Sequence, residues 1–115
     1  MSDLARKSCI PCEGGVPPLE GKELSELSER LGGNWVVVDN HHLHNEYRFR
    51  DFSQALAFLN RIGELAEDEG HHPDLELSWG RVGVNIHTHK IDGLTESDFV
   101  LAAKIDQLDS TEAGR

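Results

Sequence analysis

Cysteine is scarce in this chain: its 115 residues contain two, Cys9 and Cys12, in a segment rich in Gly and Pro. One Cys-x-x-Cys pair cannot build a disulfide framework, and a structural zinc site would need two further ligands. A redox motif of this spacing belongs beside a strand-to-helix turn, and the surrounding residues show no such pattern. We therefore expect two inert thiols, and a single domain that is stabilised by its hydrophobic core.

Basic residues are outnumbered by acidic ones, and long apolar runs are absent. The 11 Lys and Arg against 21 Asp and Glu give a formal charge of -10. This is the opposite of the field that attracts a phosphate backbone, so we expect no nucleic-acid partner. No run approaches the roughly 18 apolar residues of a membrane span, and the N-terminus lacks the apolar stretch of a signal peptide. We expect a soluble, cytoplasmic protein with no membrane partner.

Several common catalytic signatures are absent as well. The sequence shows no Ser or Cys nucleophile beside a visible base, no glycine-rich phosphate loop and no dinucleotide-binding fingerprint. It does contain seven histidines. Because histidine titrates near pH 6.5, two imidazoles can present an acid and a base together at neutral pH. Acid-base chemistry, such as the addition or removal of water, is therefore the activity that these residue types favour.

Local patterns divide the chain into an extended lead-in, residues 1–18, one domain, residues 19–108, and a polar tail, residues 109–115. Within the domain the predicted order is helix, hairpin, helix, hairpin, helix. Each predicted strand has one apolar face only, which is typical of an antiparallel sheet covered on one side. We predict an α+β fold with a four-stranded antiparallel sheet and three helices on one face. The free face and edges favour a homo-oligomer.

Three helices are predicted from apolar spacing and end signals. The first stops at Gly32-Gly33, the second runs from the capping residue Asp51 to Gly70, and the third begins after Thr95. The core-facing residues expected on these helices are Leu24, Leu27 and Leu31, then Phe52, Ala55, Leu56, Leu59, Ile62, Leu65 and Ala66, then Phe99, Ala102, Ala103, Ile105 and Leu108.

Two hairpins are predicted from alternating apolar and polar residues. The first turns at Asp39-Asn40 and the second at Gly80-Arg81. In this pattern Trp79 takes an ordinary core position on the third strand. If the last two strands pair, His89 at the end of one lies beside the start of the other, near His71 and His72.

The stretch from Glu67 to Asp98 holds the candidate site. Pro73 directs His71 and His72 away from the preceding helix, and both follow an acidic helix end that is unfavourable for the helix dipole. Such acids either favour protonated imidazole or form a plain solvated helix end, and the sequence leaves both readings open. Asp98 also completes the capping pattern Thr95-Glu96-Ser97-Asp98, which would explain it without any catalytic role.

Metal binding is the main chemical alternative to acid-base catalysis. His87 and His89 point the same way on a strand, and neutral imidazole is a common zinc ligand. However, no H-E-x-x-H or carboxylate-spaced pattern accompanies them. The remaining histidines, His41, His42 and His44, fall near the first hairpin turn, where solvated side chains are the plain interpretation. We therefore predict no metal ligand among the site residues.

These residues resemble the pterin-4a-carbinolamine dehydratase family over about residues 33–108. The resemblance is carried by the stretch from Glu67 to Asp98 and by three shorter motifs. The motifs are Gly33-Asn34-Trp35, Tyr47-Arg48-Phe49 leading into Asp51-Phe52, and Gly93-Leu94-Thr95-Glu96-Ser97-Asp98-Phe99. Two departures concern the pocket: Leu75 stands where many members have an aromatic residue, and His87 is unusual near the end of the fourth strand.

The resemblance implies the α+β fold, assembly as a homodimer or homotetramer, and loss of water from 4a-hydroxytetrahydropterin without a metal or other cofactor. It implies His71, His72 and His89 as catalytic residues and Glu67 and Asp98 as supporting residues. To the supporting or substrate-binding group we add Pro73, Trp79 and Thr88. Relatives with this fold also serve as a dimerisation cofactor of a transcription factor or assist assembly of the carbon-fixing carboxylase. A non-catalytic interaction protein is therefore the alternative.

Overall fold

The structure, a computed structural model, describes residues 18–111, with side chains as far as Leu108. The elements are α1 (Gly21–Leu31), β1 (Val36–Val38), β2 (His42–Arg48), α2 (Phe52–Glu69), β3 (Asp74–Ser78), β4 (Arg81–Ile86) and α3 (Glu96–Thr111). This confirms the predicted order of helices and hairpins. The predictions for Cys9 and Cys12 lie outside the described residues.

The capping residues predicted for the two ends of α2 are confirmed. The Asp51 side chain accepts a hydrogen bond from the backbone N–H of Gln54 at 2.9 Å, which satisfies one of the free donors at the helix start. Gly70 follows the last turn with φ of 66°, a left-handed value that glycine adopts without steric cost. The chain therefore leaves α2 in a fixed direction at His71.

The two hairpins join into one four-stranded antiparallel sheet with the order β1-β2-β4-β3. Asp39 and Asn40 have φ of 53° and 55°, the left-handed values that a type I′ β-turn needs at both central positions. The hairpins meet along their inner strands, where Leu43 lies opposite Ile86. This pairing brings the first hairpin turn to the same end of the sheet as the segment that follows β4.

One face of the sheet is apolar and lies under the helices. α2 packs on β3 and β4, and α3 packs on α1 and α2. The largest fully buried side chains are Phe58, Phe99, Leu43, Ile62, Ile86, Leu94, Leu101, Ile105, Val82, Val84 and Val100. The opposite face is polar, and there Arg81 makes ion pairs of 3.2 Å with Glu46 and Glu76. This is the one-sided sheet that the alternating strands predicted.

The predicted core face of α2 was partly wrong. Phe52 and Leu56 are exposed, Phe52 at 45%, whereas Phe58, which the predicted stripe omitted, is 1% exposed. The Phe58 ring lies 4.8 Å from the Tyr47 ring and 5.1 Å from the Phe49 ring, measured between centroids. The helix is therefore rotated so that Tyr47 and Phe49 cover Phe58, while Phe52 and Leu56 face outward.

Trp79 was also misassigned as a core residue, because it is 68% exposed in the turn between β3 and β4. The turn is formed by Trp79 and Gly80, one position earlier than predicted. The Gly80 carbonyl accepts a hydrogen bond from Phe49 N–H at 2.8 Å, and a Cβ at Gly80 would lie 2.8 Å from the Phe49 carbonyl oxygen. This contact continues the pairing of β2 with β4 by one residue, so Gly80 is held in the turn and Trp79 stays exposed beside it.

α3 continues to Thr111, into the segment predicted as a polar tail. Among residues 18–111, no helix has both the length and the apolar character that crossing a membrane requires.

Candidate functional site

The candidate site lies at the end of the sheet where β3 begins and β4 ends. His71 is held at the exit of α2, where its backbone N–H donates to the Ala66 carbonyl at 3.2 Å. Pro73 then restrains His72 to extended dihedrals and starts the approach to β3. The antiparallel pairing of β3 with β4 places the segment after Ile86 beside the start of β3, as predicted from the hairpin pattern.

Asp98 is the centre of a buried polar network. Its carboxylate is fully buried and accepts hydrogen bonds from the backbone N–H of Thr95 at 2.8 Å and from Thr88 Oγ1 at 2.9 Å. His71 Nε2 lies 2.5 Å from the other carboxylate oxygen, and the His71 side chain is only 12% exposed. Because an ionised carboxylate can only accept, this contact fixes the His71 proton on Nε2. Asp98 therefore caps α3 and orients a histidine at the same time.

His72 forms a second histidine–carboxylate pair on the outside of the site. Its Nε2 lies 2.5 Å from Glu67 Oε2, and both side chains are exposed. The acid at the end of α2 is thus engaged by an imidazole, although its contact with solvent makes this pair weaker than a buried one. The two consecutive histidines diverge: His71 turns toward the buried Asp98, and His72 turns toward solvent and Glu67.

His89 lies against His87 just beyond β4. The ring centroids of the two histidines are 4.2 Å apart, and one ligand atom from each lies within 4.8 Å of the other and of an Asp74 carboxylate oxygen. Burial lowers the pKa of His87, and positive charge on His89 and His41 lowers it further, against the opposing effect of Asp74 and Asp98. His87 is therefore biased toward the neutral form beside an exposed His89.

The first hairpin turn also reaches this end of the sheet. The His41 and His87 ring centroids are 4.6 Å apart, and His41 Nε2 lies 2.7 Å from Asp92 Oδ1. The hydrogen bond and the charge of His41 both lower the pKa of Asp92. The interpretation of His41 and His42 as plain solvated loop residues was wrong, because both are half-buried and their Nδ1 atoms lie 3.2 Å apart.

The structure links residues singled out from the sequence in two groups, His72 with Glu67 and His71 with Asp98 and Thr88. Asp98 joins His71 to Thr88, and Thr88 precedes His89 in the chain. Trp79 is not part of this group, since it follows the opposite end of β3, roughly 15 Å of strand away. The hydrogen bond from the Thr95 backbone N–H to Asp98 is the one that the capping pattern predicted, and it joins Thr95 to the Asp98 network.

The arrangement can hold and exchange protons around a small substrate. Its three imidazoles have different surroundings. His71 contacts a buried carboxylate, His72 contacts an exposed carboxylate, and His89 contacts the ring of a histidine that favours the neutral form. Groups whose surroundings differ in this way can serve as acid and base in the same reaction.

The chain is similar to proteins of one family. The sequence pattern of the family described as pterin 4 alpha carbinolamine dehydratase matches residues 17–108. A Rubrobacter xylanophilus protein provisionally named pterin-4-alpha-carbinolamine dehydratase is 61% identical over 94% of this chain and 100% of its own length. A Rickettsia bellii protein with the same provisional name is 60% identical over 91% of this chain and 93% of its own length.

Solved structures agree with this similarity. The crystal structure of a transcriptional coactivator/pterin dehydratase from Brucella melitensis has a TM-score of 0.73 and 33% identity, covering 79% of this chain and 97% of that chain. A pterin dehydratase-like protein identified as a RuBisCO assembly factor in the alpha-carboxysome has a TM-score of 0.58 at 22% identity, covering 68% and 92%, which shows a shared fold alone. From its sequence and its fold, this chain belongs to the pterin 4 alpha carbinolamine dehydratase family.

Proposed function

We propose that the protein catalyses the dehydration of 4a-hydroxytetrahydropterin to the quinonoid dihydropterin, with histidines as acid and base. The observation that carries the proposal is the buried His71–Asp98 pair, tied to Thr88 and Thr95 at the end of the sheet that also holds His72 and His89. Membership of the family supports the reaction type. The names of the relatives support a pterin as the substrate.

The reaction needs one proton delivered and one proton removed. The N5–H bond breaks, its electron pair forms the N5=C4a double bond, and the C4a–O bond breaks as the oxygen takes a proton and leaves as water. The step therefore balances without an oxidant, a reductant or a metal ion. Protonating the leaving hydroxyl and removing the N5 proton are both general acid-base tasks, each worth about 10²–10⁴ in rate.

We assign the catalytic roles to His71, His72 and His89. His71 and His72 each direct Nε2 at a carboxylate, so in the neutral ring the other nitrogen, Nδ1, is the basic one. His89 is exposed and lies beside the neutral-biased His87, which leaves it accessible to a substrate. Glu67, Asp98 and Thr88 act as positioning residues through these histidines, and Pro73 sets the direction of the chain. Trp79 has no role in this assignment, because it lies at the other end of β3.

The test is the rate of quinonoid dihydropterin formation from enzymically generated 4a-hydroxytetrahydropterin, measured in chelator. We expect His72→Ala and His89→Ala each to lower turnover by about 10²–10⁴ with the fold intact. His44→Ala is the matched control, since His44 lies on the polar face of the sheet and contacts Asn85 and Glu46 instead. Unchanged turnover in both site variants would exclude these histidines as the catalytic groups.

A second candidate function is that of a non-catalytic interaction protein. The observation in its favour is the pair of exposed apolar side chains Phe52 and Leu56, one turn apart on α2. The Brucella melitensis relative is itself described as a transcriptional coactivator as well as a pterin dehydratase. Co-purification of a stoichiometric partner, together with no dehydration above the uncatalysed rate, would favour this function over catalysis.

We also propose that the chain works as a homodimer or homotetramer. Both edge strands, β1 and β3, leave backbone groups along one side without a strand partner among residues 18–111, and the polar face of the sheet is open. Light scattering during size-exclusion chromatography measures the assembly directly, and a monomer at micromolar concentration would contradict the proposal. The cytoplasmic location predicted from the sequence stays a prediction.

A further inference from the structure

His41, His87 and Asp92 form a cluster that the proposed dehydration does not use. One ligand atom from each, a ring nitrogen or a carboxylate oxygen, lies within 4.8 Å of the other two. The three residues come from separate segments: His41 precedes β2, His87 follows β4, and Asp92 lies in the turn before α3. The pairing of β2 with β4 brings them together, so the cluster belongs to the folded protein.

The spacing of these atoms is close to that of a tetrahedral metal site. Zinc binds imidazole nitrogen and carboxylate oxygen at about 2.0–2.2 Å, which places ligand atoms about 3.3–3.6 Å from one another. The ligand atoms therefore lie at most about 1.2–1.5 Å farther apart than they would around a bound ion. His41 Nε2 and Asp92 Oδ1 already converge to 2.7 Å on a shared proton, and a cation can replace that proton after a small separation.

Neighbouring contacts hold the His41 side chain and the backbone at Asp92. His42 Nδ1 lies 3.2 Å from His41 Nδ1, so it can accept a hydrogen bond there and leave His41 Nε2 free to face a cation. The Asp92 backbone N–H donates to the Thr88 carbonyl at 2.9 Å and to the His89 carbonyl at 3.2 Å. The carboxylate thus projects from a turn that is tied to the end of β4.

We propose that His41, His87 and Asp92 bind one zinc ion, with water in the remaining coordination position. Two imidazoles and one carboxylate form a donor set that suits a borderline divalent ion such as Zn²⁺ better than Mg²⁺ or Ca²⁺, which prefer oxygen ligands alone. The site is distinct from the catalytic assignment, because none of its three ligands is a residue to which we give a role in dehydration. It stands whether or not the protein is a dehydratase.

A neighbouring set competes for the same ion. Asp74, His87 and His89 also bring one ligand atom each within 4.8 Å, and His87 is common to both sets. A single ring nitrogen of His87 can serve only one ion at a time. We assign zinc to the set with His41 for two reasons. His41 Nε2 already lies 2.7 Å from Asp92 Oδ1, and His42 contacts the other ring nitrogen of His41.

The experiment is a competition titration of Zn²⁺ between the full-length protein and a chromogenic chelator. The background is Cys9→Ser/Cys12→Ser, which removes zinc held by the two thiols. We expect one zinc per chain, and at least a tenfold loss of affinity in each of His41→Ala, His87→Ala and Asp92→Ala. His44→Ala is the control, because it also removes a histidine but one that lies on β2 outside the cluster. Its affinity for zinc should stay within twofold of that of the background protein.

Three results would overturn the proposal. The first is a background protein that takes up no zinc once the cysteines are replaced. The second is unchanged affinity in both His41→Ala and Asp92→Ala, which change side chains in turns and keep the core intact. The third is binding that survives those two changes but is lost in His89→Ala and Asp74→Ala, which would place the ion in the neighbouring set.

Discussion

Replacing Asp98 by Asn separates the structural role of this residue from its effect on His71. The change keeps the size and shape of a fully buried side chain and removes its charge. In the natural protein the carboxylate accepts from His71 Nε2, Thr88 Oγ1 and Thr95 N. An asparagine can turn its oxygen toward Thr95 and Thr88, and its NH₂ group then meets His71, which must move its own proton to Nδ1 to accept.

The cost in stability follows from these contacts. Hydrogen bonds to a charged group contribute about 1.5–3 kcal/mol and neutral ones about 0.5–1.5 kcal/mol, so the bonds that survive each lose about 1 kcal/mol. The lower desolvation cost of a neutral side chain offsets part of this loss. We expect the free energy of unfolding to fall by about 1–3 kcal/mol. For a chain of 115 residues this lowers Tm by roughly 4–12 °C.

The cost in activity should be larger than the cost in stability. With its proton on Nδ1, His71 can no longer act as a base at that nitrogen, and the neutral amide no longer stabilises an imidazolium. A histidine held in the wrong tautomer, or removed from acid-base catalysis, lowers turnover by about 10²–10⁴. We therefore expect Asp98→Asn to be folded at 25 °C and to lose about 10²–10⁴ in kcat/KM.

The assay is dehydration of the 4a-hydroxy pterin at 25 °C, beside a thermal melt of the same samples. Thr88→Val is the companion variant: it removes one donor to Asp98 but keeps the charge opposite His71, so it should lose stability with a smaller loss of turnover. A folded Asp98→Asn protein with kcat/KM within threefold of the natural protein would refute the role of the His71–Asp98 pair. If Asp98→Asn does not fold, equal losses of turnover in Thr88→Val and His71→Ala would refute it instead.

Three further changes test the core, a buried polar contact and the histidine cluster. Phe58→Ala removes a buried ring and should lower the free energy of unfolding by about 3–5 kcal/mol, whereas the exposed Phe52→Ala should cost less than about 1 kcal/mol; equal losses in urea denaturation would contradict this burial. Tyr47→Phe deletes a hydroxyl that donates to a carboxylate of α3 at 2.6 Å and should cost about 1–2 kcal/mol, and an unchanged urea midpoint would show that the bond contributes nothing. Because burial and neighbouring histidines lower the pKa of His87 below 6.5, its NMR titration in chelator should move upward in His89→Ala. The free energy of unfolding should fall as pH drops below about 6.5, since the unfolded chain then binds a proton that folded His87 resists; a His87 titration that does not respond to His89→Ala would contradict the coupling.

The sequence predicted the local elements well because their signals are local. Asp51 and Gln54 lie within one helical turn, and the Asp39-Asn40 turn connects adjacent strands, so neither depends on distant contacts. The order β1-β2-β4-β3 could not be read in this way. It depends on which strand of one hairpin pairs with which strand of the other. The alternation of apolar and polar residues within a strand does not identify that partner strand.

The errors in the core have the same origin. A helix with apolar residues over a wide arc can bury either side of that arc, and the aromatic residues of β2 select Phe58 over Phe52. Trp79 continues the alternation of β3, but it lies in the turn whose second residue, Gly80, is bonded to Phe49 beyond β2. Both outcomes depend on contacts with residues far away in the sequence.

The candidate site was predictable where its residues share one motif. The stretch from Glu67 to Asp98 identified the His71–Asp98 and His72–Glu67 partners as candidates, although it did not specify the pairing. The contacts of His41 with Asp92 and His87 were not predictable, because they join the first hairpin turn to the loop after β4. Only the pairing of β2 with β4 makes these residues neighbours.

The pairing of β2 with β4 also determines when the cluster of His41, His87 and Asp92 can form during folding. Leu43 and Ile86 lie opposite each other but are 43 positions apart in the chain, with the whole of α2 between them. Closing so long a loop carries an entropy cost that the strands recover only once they pair. Intermediates with formed helices and separate hairpins therefore lack this assembled cluster. Recovery of zinc binding at the cluster during refolding should report completion of the sheet, whereas recovery of helical signal does not.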